Sequence, residues 1–251
     1  MRIQTAALIF GVASLLVTAG RPAAAPVASD PAVRAYSAVY QIRHEGRNVG
    51  TSKFEVRYDM GSGLYRFSSS SAFRGLLKFL SPKAIVERSE FVSEAGRITP
   101  LKFWYEDGNR RGTDDFQIVF DWDNGIAITE TDDGPREFPI PRGALDRGTM
   151  QIQVMLDMAR AGPRGSYTLA DEDGLRTYTY RPAADKLLET PFGELATQAF
   201  IQERPGSSRR TLLWAAPELH YLPARIEQVR DGETKVVLLL ESVEWLRAGE
   251  D

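Results

Sequence analysis

The 251-residue chain contains no cysteine. That absence excludes a disulfide framework and a thiolate metal centre, and leaves no residue to carry a lipoprotein anchor. Histidine is nearly as scarce. His44 and His220 are the only two, and neither has a second metal ligand nearby in sequence. No G-x-S-x-G elbow occurs, and no Gly-rich phosphate loop or dinucleotide fingerprint. The serine run from Ser68 to Ser71 lies within a strand pattern with no base in view. Asp121, Asp123 and Asn124 superficially match the start of a calcium loop. Gly125 falls where a ligand is needed, however, and no glutamate stands at the required distal offset, so this is a hairpin turn. Residues 171–174 (DEDG) read as a solvated turn. The expectation is no cofactor, no metal and no catalytic residue, hence a protein that is not an enzyme.

Long apolar runs are also missing, with one exception. Residues 6–19 (AALIFGVASLLVTA) follow a basic Met1-Arg2 start and precede the small residues Ala23, Ala24 and Ala25. Basic start, short apolar middle and small-residue end describe a secretory signal peptide, assigned to residues 1–25. The run is shorter than the ~20 residues a spanning helix needs. Cleavage after Ala25 fits the small-residue rule but puts Pro26 next, so Ala19 and Ala28 stay open as alternative sites. With signal cleavage no transmembrane span is left. An exported chain with neither span nor lipid anchor is expected to be soluble in the periplasm. Loss of Arg2 and Arg21 takes the net charge from −3 to −5. That balance gives no electrostatic footprint for nucleic acid.

Residues 26–34 are an Ala/Pro-rich lead-in, residues 35–247 a single β-rich domain with no composition break, and residues 248–251 a tail. Within the domain, alternation dominates. Tyr36, Ala38, Tyr40 and Ile42 share one face of the first strand. Phe54, Val56 and Tyr58 do so in the next, then Tyr65 and Phe67, and then Leu101, Phe103 and Tyr105. Phe116, Ile118, Phe120 and Trp122 alternate before the Asn124-Gly125 hairpin signal. Further strands are expected at 84–93, 126–131, 167–170, 175–181, 186–189, 196–203, 211–215, 224–230 and 235–245. Residues 138–145 read as an extended segment stiffened by Pro139 and Pro141. Roughly a dozen strands at ~8–12-residue spacing indicate a mainly β protein. Residues 75–80 (GLLKFL) are apolar on both sides, and whether they are core or exposed stays open.

One segment is different. Residues 148–161 (GTMQIQVMLDMARA) carry the helical period, with Asp146 or Thr149 as N-cap and Gly162-Pro163 as the stop. Met150, Ile152, Val154, Met155, Leu156, Met158 and Ala159 cover about two-thirds of the circumference, far more than the ~100° stripe of a surface helix. Gln151 alone interrupts that arc, and Gln153, Asp157 and Arg160 occupy the remaining face. A sheet of a dozen strands curls and needs something to bury on its inner face. The expected fold is therefore a single large curved antiparallel sheet, a half-barrel or open barrel, wrapped around one central helix.

Several phrases carry a family resemblance: the start with Tyr36, Tyr40, Gly46 and Gly50; residues 96–103 (GRITPLKF); Phe120, Asp121 and Trp122; residues 189–193 (ETPFG); and Leu213-Trp214 followed by residues 221–226 (YLPARI). In order and spacing they resemble the exported bacterial family called domain of unknown function 3108. The resemblance implies an exported, β-rich protein of no established activity, and it brings no catalytic residue with it. One departure is visible: Asp146-Arg147 stands where an Asp-Pro pair is expected before the helix.

Methionine fills irregular space and lines adaptable binding surfaces. Met150, Met155 and Met158 lie on one helix, and Phe103, Phe116, Phe120 and Trp122 lie on strands expected to face it. Met150, Val154, Met155, Met158 and those four aromatics are the expected lining of a site for a lipid-like or other apolar small molecule. The alternative is a structural or protein-interaction component of the envelope, contacting another envelope protein; a third reading is a hydrolase, for which only carboxylate pairs could serve.

Overall fold

The computed structural model describes residues 32–75, 78, 82–110, 112 and 114–247. The signal-peptide assignment, residues 26–31 of the lead-in, the tail, and Leu76, Leu77, Phe79 and Leu80 of the apolar stretch lie outside the described residues.

Among the described residues, fourteen antiparallel strands form one sheet. The first half runs β1 (Tyr36–His44), β2 (Arg47–Asp59), β3 (Leu64–Phe73), β4 (Ile85–Glu94), β5 (Arg97–Glu106), β6 (Phe116–Asp121), β7 (Ile126–Thr131) and β8 (Gly134–Pro139). Helix α1 (Arg147–Arg160) follows. The second half is β9 (Ser166–Asp171), β10 (Gly174–Thr190), β11 (Gly193–Glu203), β12 (Arg209–Ala216), β13 (Leu222–Arg230) and β14 (Glu233–Trp245). Each strand pairs with its sequence neighbours, except that β8 and β9 do not pair and β1 also pairs with β14. The two meanders therefore join in mid-sheet at the ends of the domain, and β8 and β9 are left as the two edges.

The curved sheet brings those edges together through the chain that connects them. Residues 140–146 leave β8 and reach β9, where Leu145 bridges Leu169 in parallel. Leu145 N–H donates to the Thr168 carbonyl at 3.0 Å, and Ala170 N–H donates to the Leu145 carbonyl at 2.8 Å. The prolines of the extended segment thus have two roles. Pro135 and Pro139 sit in β8, an edge strand that tolerates a missing donor, and Pro141 lies in the crossing. Sequence alternation did not resolve β8 from the crossing for this reason. It also split β10, which is one strand with a register shift between Ala183 and Lys186.

α1 lies inside the curve. Its N-cap is Asp146, whose side chain accepts the Thr149 N–H at 2.8 Å while Thr149 Oγ1 accepts the Asp146 N–H at 2.9 Å. Both expected capping residues are therefore used, as the two halves of one box. Ile152, Val154, Leu156 and Met158 pack with Tyr36, Tyr40, Phe54, Phe67 and Phe91 of the N-terminal strands and with Leu222 and Leu240 of the C-terminal ones. Two of the three residues on the face expected to be polar are buried too, and Arg160 stays exposed. Gln153 is 2% exposed and Asp157 5%. Gln153 Oε1 accepts the Ile98 N–H at 2.8 Å, and its amide nitrogen donates to the Gly96 carbonyl at 3.1 Å and to Asp157 at 3.0 Å. Arg160 donates to the Ala95 carbonyl at 2.6 Å. Ala95 and Gly96 both have positive φ, 46° and 64°, the tight hairpin turn of β4–β5. The polar stripe of the helix thus holds this hairpin tip, with Gln153 and Asp157 out of water and Arg160 at the rim.

Candidate functional site: a cavity beside the helix

A cavity of about 740 Å³ separates the N-terminal half of α1 from the inner face of β10–β14. That volume lies within the ~300–1,000 Å³ typical of small-molecule sites. Met150, Gln151, Val154 and Met155 form the helix side, and Tyr178, Tyr180, Leu213, Ile226 and Leu238 form the apolar sheet side. The period-two pattern of the strands and the wide apolar arc of α1 generate this wall together. Alternate residues point inward, and the helix turns only part of its arc into the packed core. Val154 is buried at 2% exposure and Met155 is half-buried.

Of the eight expected lining residues, Met150, Val154 and Met155 are on the cavity. The other five are placed elsewhere. Met158 is 3% exposed within the main core. Phe103, Phe116 and Phe120 form a second buried cluster with Ile118, Ala127, Ile140, Ala144 and Ala170, and Trp122 packs against it. Trp122 stacks on Phe120 with centroids 5.8 Å apart and donates its indole N–H to the Pro100 carbonyl at 2.7 Å. The physical reason is the crossing segment. Residues 140–146 lie against the inner face of β5–β8, so those aromatics pack on Ile140 and Ala144, and α1 reaches Phe116 only from its end, where the Arg147 guanidinium lies 5.3 Å from the ring centroid. The sheet side of the cavity comes instead from the C-terminal strands, which sequence reasoning did not single out.

Polar groups punctuate the wall. Gln151, which reads in sequence as an interruption of the apolar arc, lines the cavity, and its amide nitrogen has no hydrogen-bond partner among the described residues. Tyr180 hydroxyl accepts from the Gln202 amide at 2.8 Å, and burial pushes the phenol above its ordinary pKa. On the side nearest β9, Arg147 lies 2.7 Å from Asp171 and 3.5 Å from Glu87, with its guanidinium 4.9 Å from the Tyr105 ring centroid. Arg176 meets the other Asp171 oxygen at 2.8 Å. Burial works against the charge on Arg147, but Asp171 and Glu87 outweigh it and hold its pKa above the ordinary value. Desolvation raises Glu87, against the pull of Arg147. This network balances itself.

The two histidines are apart from it. His44 Nδ1 is 2.6 Å from the Lys235 carbonyl, and His220 meets Trp245 edge-on with centroids 5.0 Å apart. Among the described residues no group of three His, Asp or Glu side chains is arranged to hold a metal ion. No helix among them is long and apolar enough to cross a membrane.

Residues 36–239 match the model of a protein family described as protein of unknown function (DUF3108). The chain belongs to the DUF3108 family. The match spans β1 to most of β14, so the sheet and α1 together are the DUF3108 unit. Among solved structures, this DUF3108 chain is similar to a β-barrel-like DUF1849 protein from Brucella abortus, with TM-score 0.53 and 9% identity, covering 86% of this chain and 99% of that one. It also matches MucB, with TM-score 0.37 and 9% identity over 87% of this chain and 55% of that one. A proposed lipoprotein from Parabacteroides distasonis matches at TM-score 0.38 and 10% identity, covering 85% of this chain and 97% of that one. The first likeness shows a shared barrel-like fold and nothing of function. Among curated proteins no match to the sequence is found.

Proposed function

We propose that this DUF3108 protein is a non-catalytic binding module of the bacterial cell envelope that shelters an apolar, lipid-like ligand between α1 and β10–β14. The observation that carries the reading is the cavity itself: about 740 Å³ bordered by Met150, Val154, Met155, Leu213, Ile226 and Leu238. Methionine at such a wall adapts to ligands of varied shape. The signal-peptide features of residues 1–25 support export, and with no cysteine for a lipid anchor they support a soluble periplasmic protein.

The test is uptake of a neutral apolar fluorophore such as N-phenyl-1-naphthylamine, with native mass spectrometry of gently purified protein for co-purified lipid. Saturable fluorescence enhancement is expected. Ile226→Trp, placed to fill the cavity from the sheet side, is expected to abolish uptake with little change in melting temperature. If the wild-type protein never binds the probe and its mass spectra are repeatedly bare, the reading fails. A second reading then gains: contact with another envelope protein through the β10–β11 hairpin, which exposes Leu187 (64%) and Phe192 (41%).

A further inference from the structure

The cavity mouth differs from its floor. Arg204, Arg209, Arg210, Arg230 and Lys235 border it where the β11–β12 and β13–β14 turns come together. The whole chain carries a net charge of −3, so this concentration of cations runs against the composition. From it we infer that the ligand is an anionic amphiphile, with its hydrocarbon part against the Met150–Leu213–Ile226 floor and a single phosphate or carboxylate headgroup held by these arginines. The inference rests on the cavity reading above and adds the headgroup class.

Three features favour an anion at this place. First, Arg209 stands directly opposite Arg230 in the β12–β13 register. Like charges in that position destabilise a strand pair, and an anion between them would offset the repulsion. Second, the charge here is far less balanced than on the β9 side. Arg147 and Arg176 are matched by Glu87 and Asp171, whereas among the described residues neither Arg204 nor Arg209 makes an ion pair. The acids near the others are exposed: Asp231 lies 3.6 Å from Arg230, and Glu233 pairs with Lys235. Glu203, opposite Arg210 and interacting with it electrostatically, is shared with Arg181 at 3.1 Å. Third, the planar guanidinium fork suits the paired oxygens of a phosphate or carboxylate. The unpartnered Gln151 amide adds a further donor on the cavity wall.

The experiment displaces N-phenyl-1-naphthylamine from the purified protein with three competitors: myristoyl lysophosphatidylglycerol, monomyristoylglycerol with the same chain and no charge, and glycerol 3-phosphate. The lysophospholipid is expected to displace the probe at a concentration at least tenfold below the uncharged lipid, and glycerol 3-phosphate not at all. In Arg209→Gln/Arg230→Gln that advantage is expected to vanish, while the probe and the uncharged lipid bind as before and the melting temperature does not fall. Equal displacement by the two lipids overturns the headgroup inference and leaves the cavity reading standing. No probe binding by the wild-type protein defeats the cavity reading first. Competition by glycerol 3-phosphate at the lysophospholipid's concentration would make this a site for a free phosphate compound, and an advantage that survives the double substitution removes the arginines from the argument. Co-sedimentation with phosphatidylglycerol vesicles without uptake of monomeric lipid would assign the cations to a membrane surface, which also overturns it.

Discussion

Asp146 is a carboxylate with no bulk water around it. It is 0% exposed, one oxygen accepts the Thr149 N–H and the Ser89 hydroxyl (2.7 Å), and the other has no partner. Burial raises its pKa to about 6, against the hydrogen bonds from Thr149 and Ser89. The sign follows from proton counting. Between the unfolded value near 3.8 and the folded value near 6, the folded protein holds the extra proton, so stability falls as pH rises through that window. The interval corresponds to about 3 kcal/mol, fully present below pH 4 and absent above pH 6. Asp146→Asn keeps a good N-cap and mimics the protonated side chain. It is expected to raise the melting temperature relative to wild type at pH 7.5 and to lose most of that advantage at pH 4.5. An equal offset at both pH values would mean that this group does not titrate on unfolding. The sequence identified Asp146 as a cap from its place before an apolar run. Its burial was not legible, because the partner that encloses it, Ser89, comes from another strand 57 residues away.

At the scale of elements, α1 shows how closely the helix and sheet are fitted. A Cβ at Gly148 would lie 2.4 Å from Phe67 Cδ1 and 2.4 Å from Ser89 Oγ. Glycine costs a helix about 1 kcal/mol relative to alanine, so a free helix would gain from Gly148→Ala. Here the methyl group meets a ring that is 1% exposed and cannot give way easily. Overpacking of this kind typically costs ~1–3 kcal/mol, and the variant is expected to be destabilised in urea unfolding by a net amount in that range. Gly165→Ala is the control. It is exposed with open space around its Cβ position, and the change is expected to be neutral or to add up to about 1 kcal/mol. A stabilised Gly148→Ala protein would refute the close docking. The helix itself was legible, to within one residue at each end, from its period and caps. That it is enclosed was legible from the width of its apolar arc. What Gln153, Asp157 and Arg160 do was not, since polar residues at helical spacing look alike whether they meet water or the bare carbonyls of a hairpin tip. Likewise the alternation of Phe103, Phe116 and Phe120 shows that they point inward. It says nothing about which inward neighbour arrives first, and the crossing segment decides that.

At the scale of the whole molecule, the arrangement follows from where the chain begins and ends. Tyr36 pairs with Trp245, so the domain's termini lie side by side in the middle of the sheet, while the free edges belong to strands adjacent to α1 in sequence. The helix segment is thus the one connection that can reach both edges, and closing the gap and filling the interior are done by the same 21 residues, 140–160. A dozen strands and a central helix could be read from periodicity, but this order could not, because no local pattern encodes that β1 meets β14. That pairing is the most non-local in the fold; Gln41 and Glu241 touch across 200 residues. Joining residue 247 to residue 32 through a short Gly/Ser linker and opening the chain in the turn at Gly61, Ser62 and Gly63 would make it a local hairpin. Shortening a closed loop from ~200 to ~10 residues lowers its entropic cost by about 2–3 kcal/mol. If β1–β14 forms in the folding transition state, the permuted protein refolds roughly tenfold to a hundredfold faster in stopped-flow experiments, with an unchanged circular dichroism spectrum. A native spectrum with an unchanged refolding rate would instead place the barrier at another event, with the docking of α1 into the curve as the next step to probe.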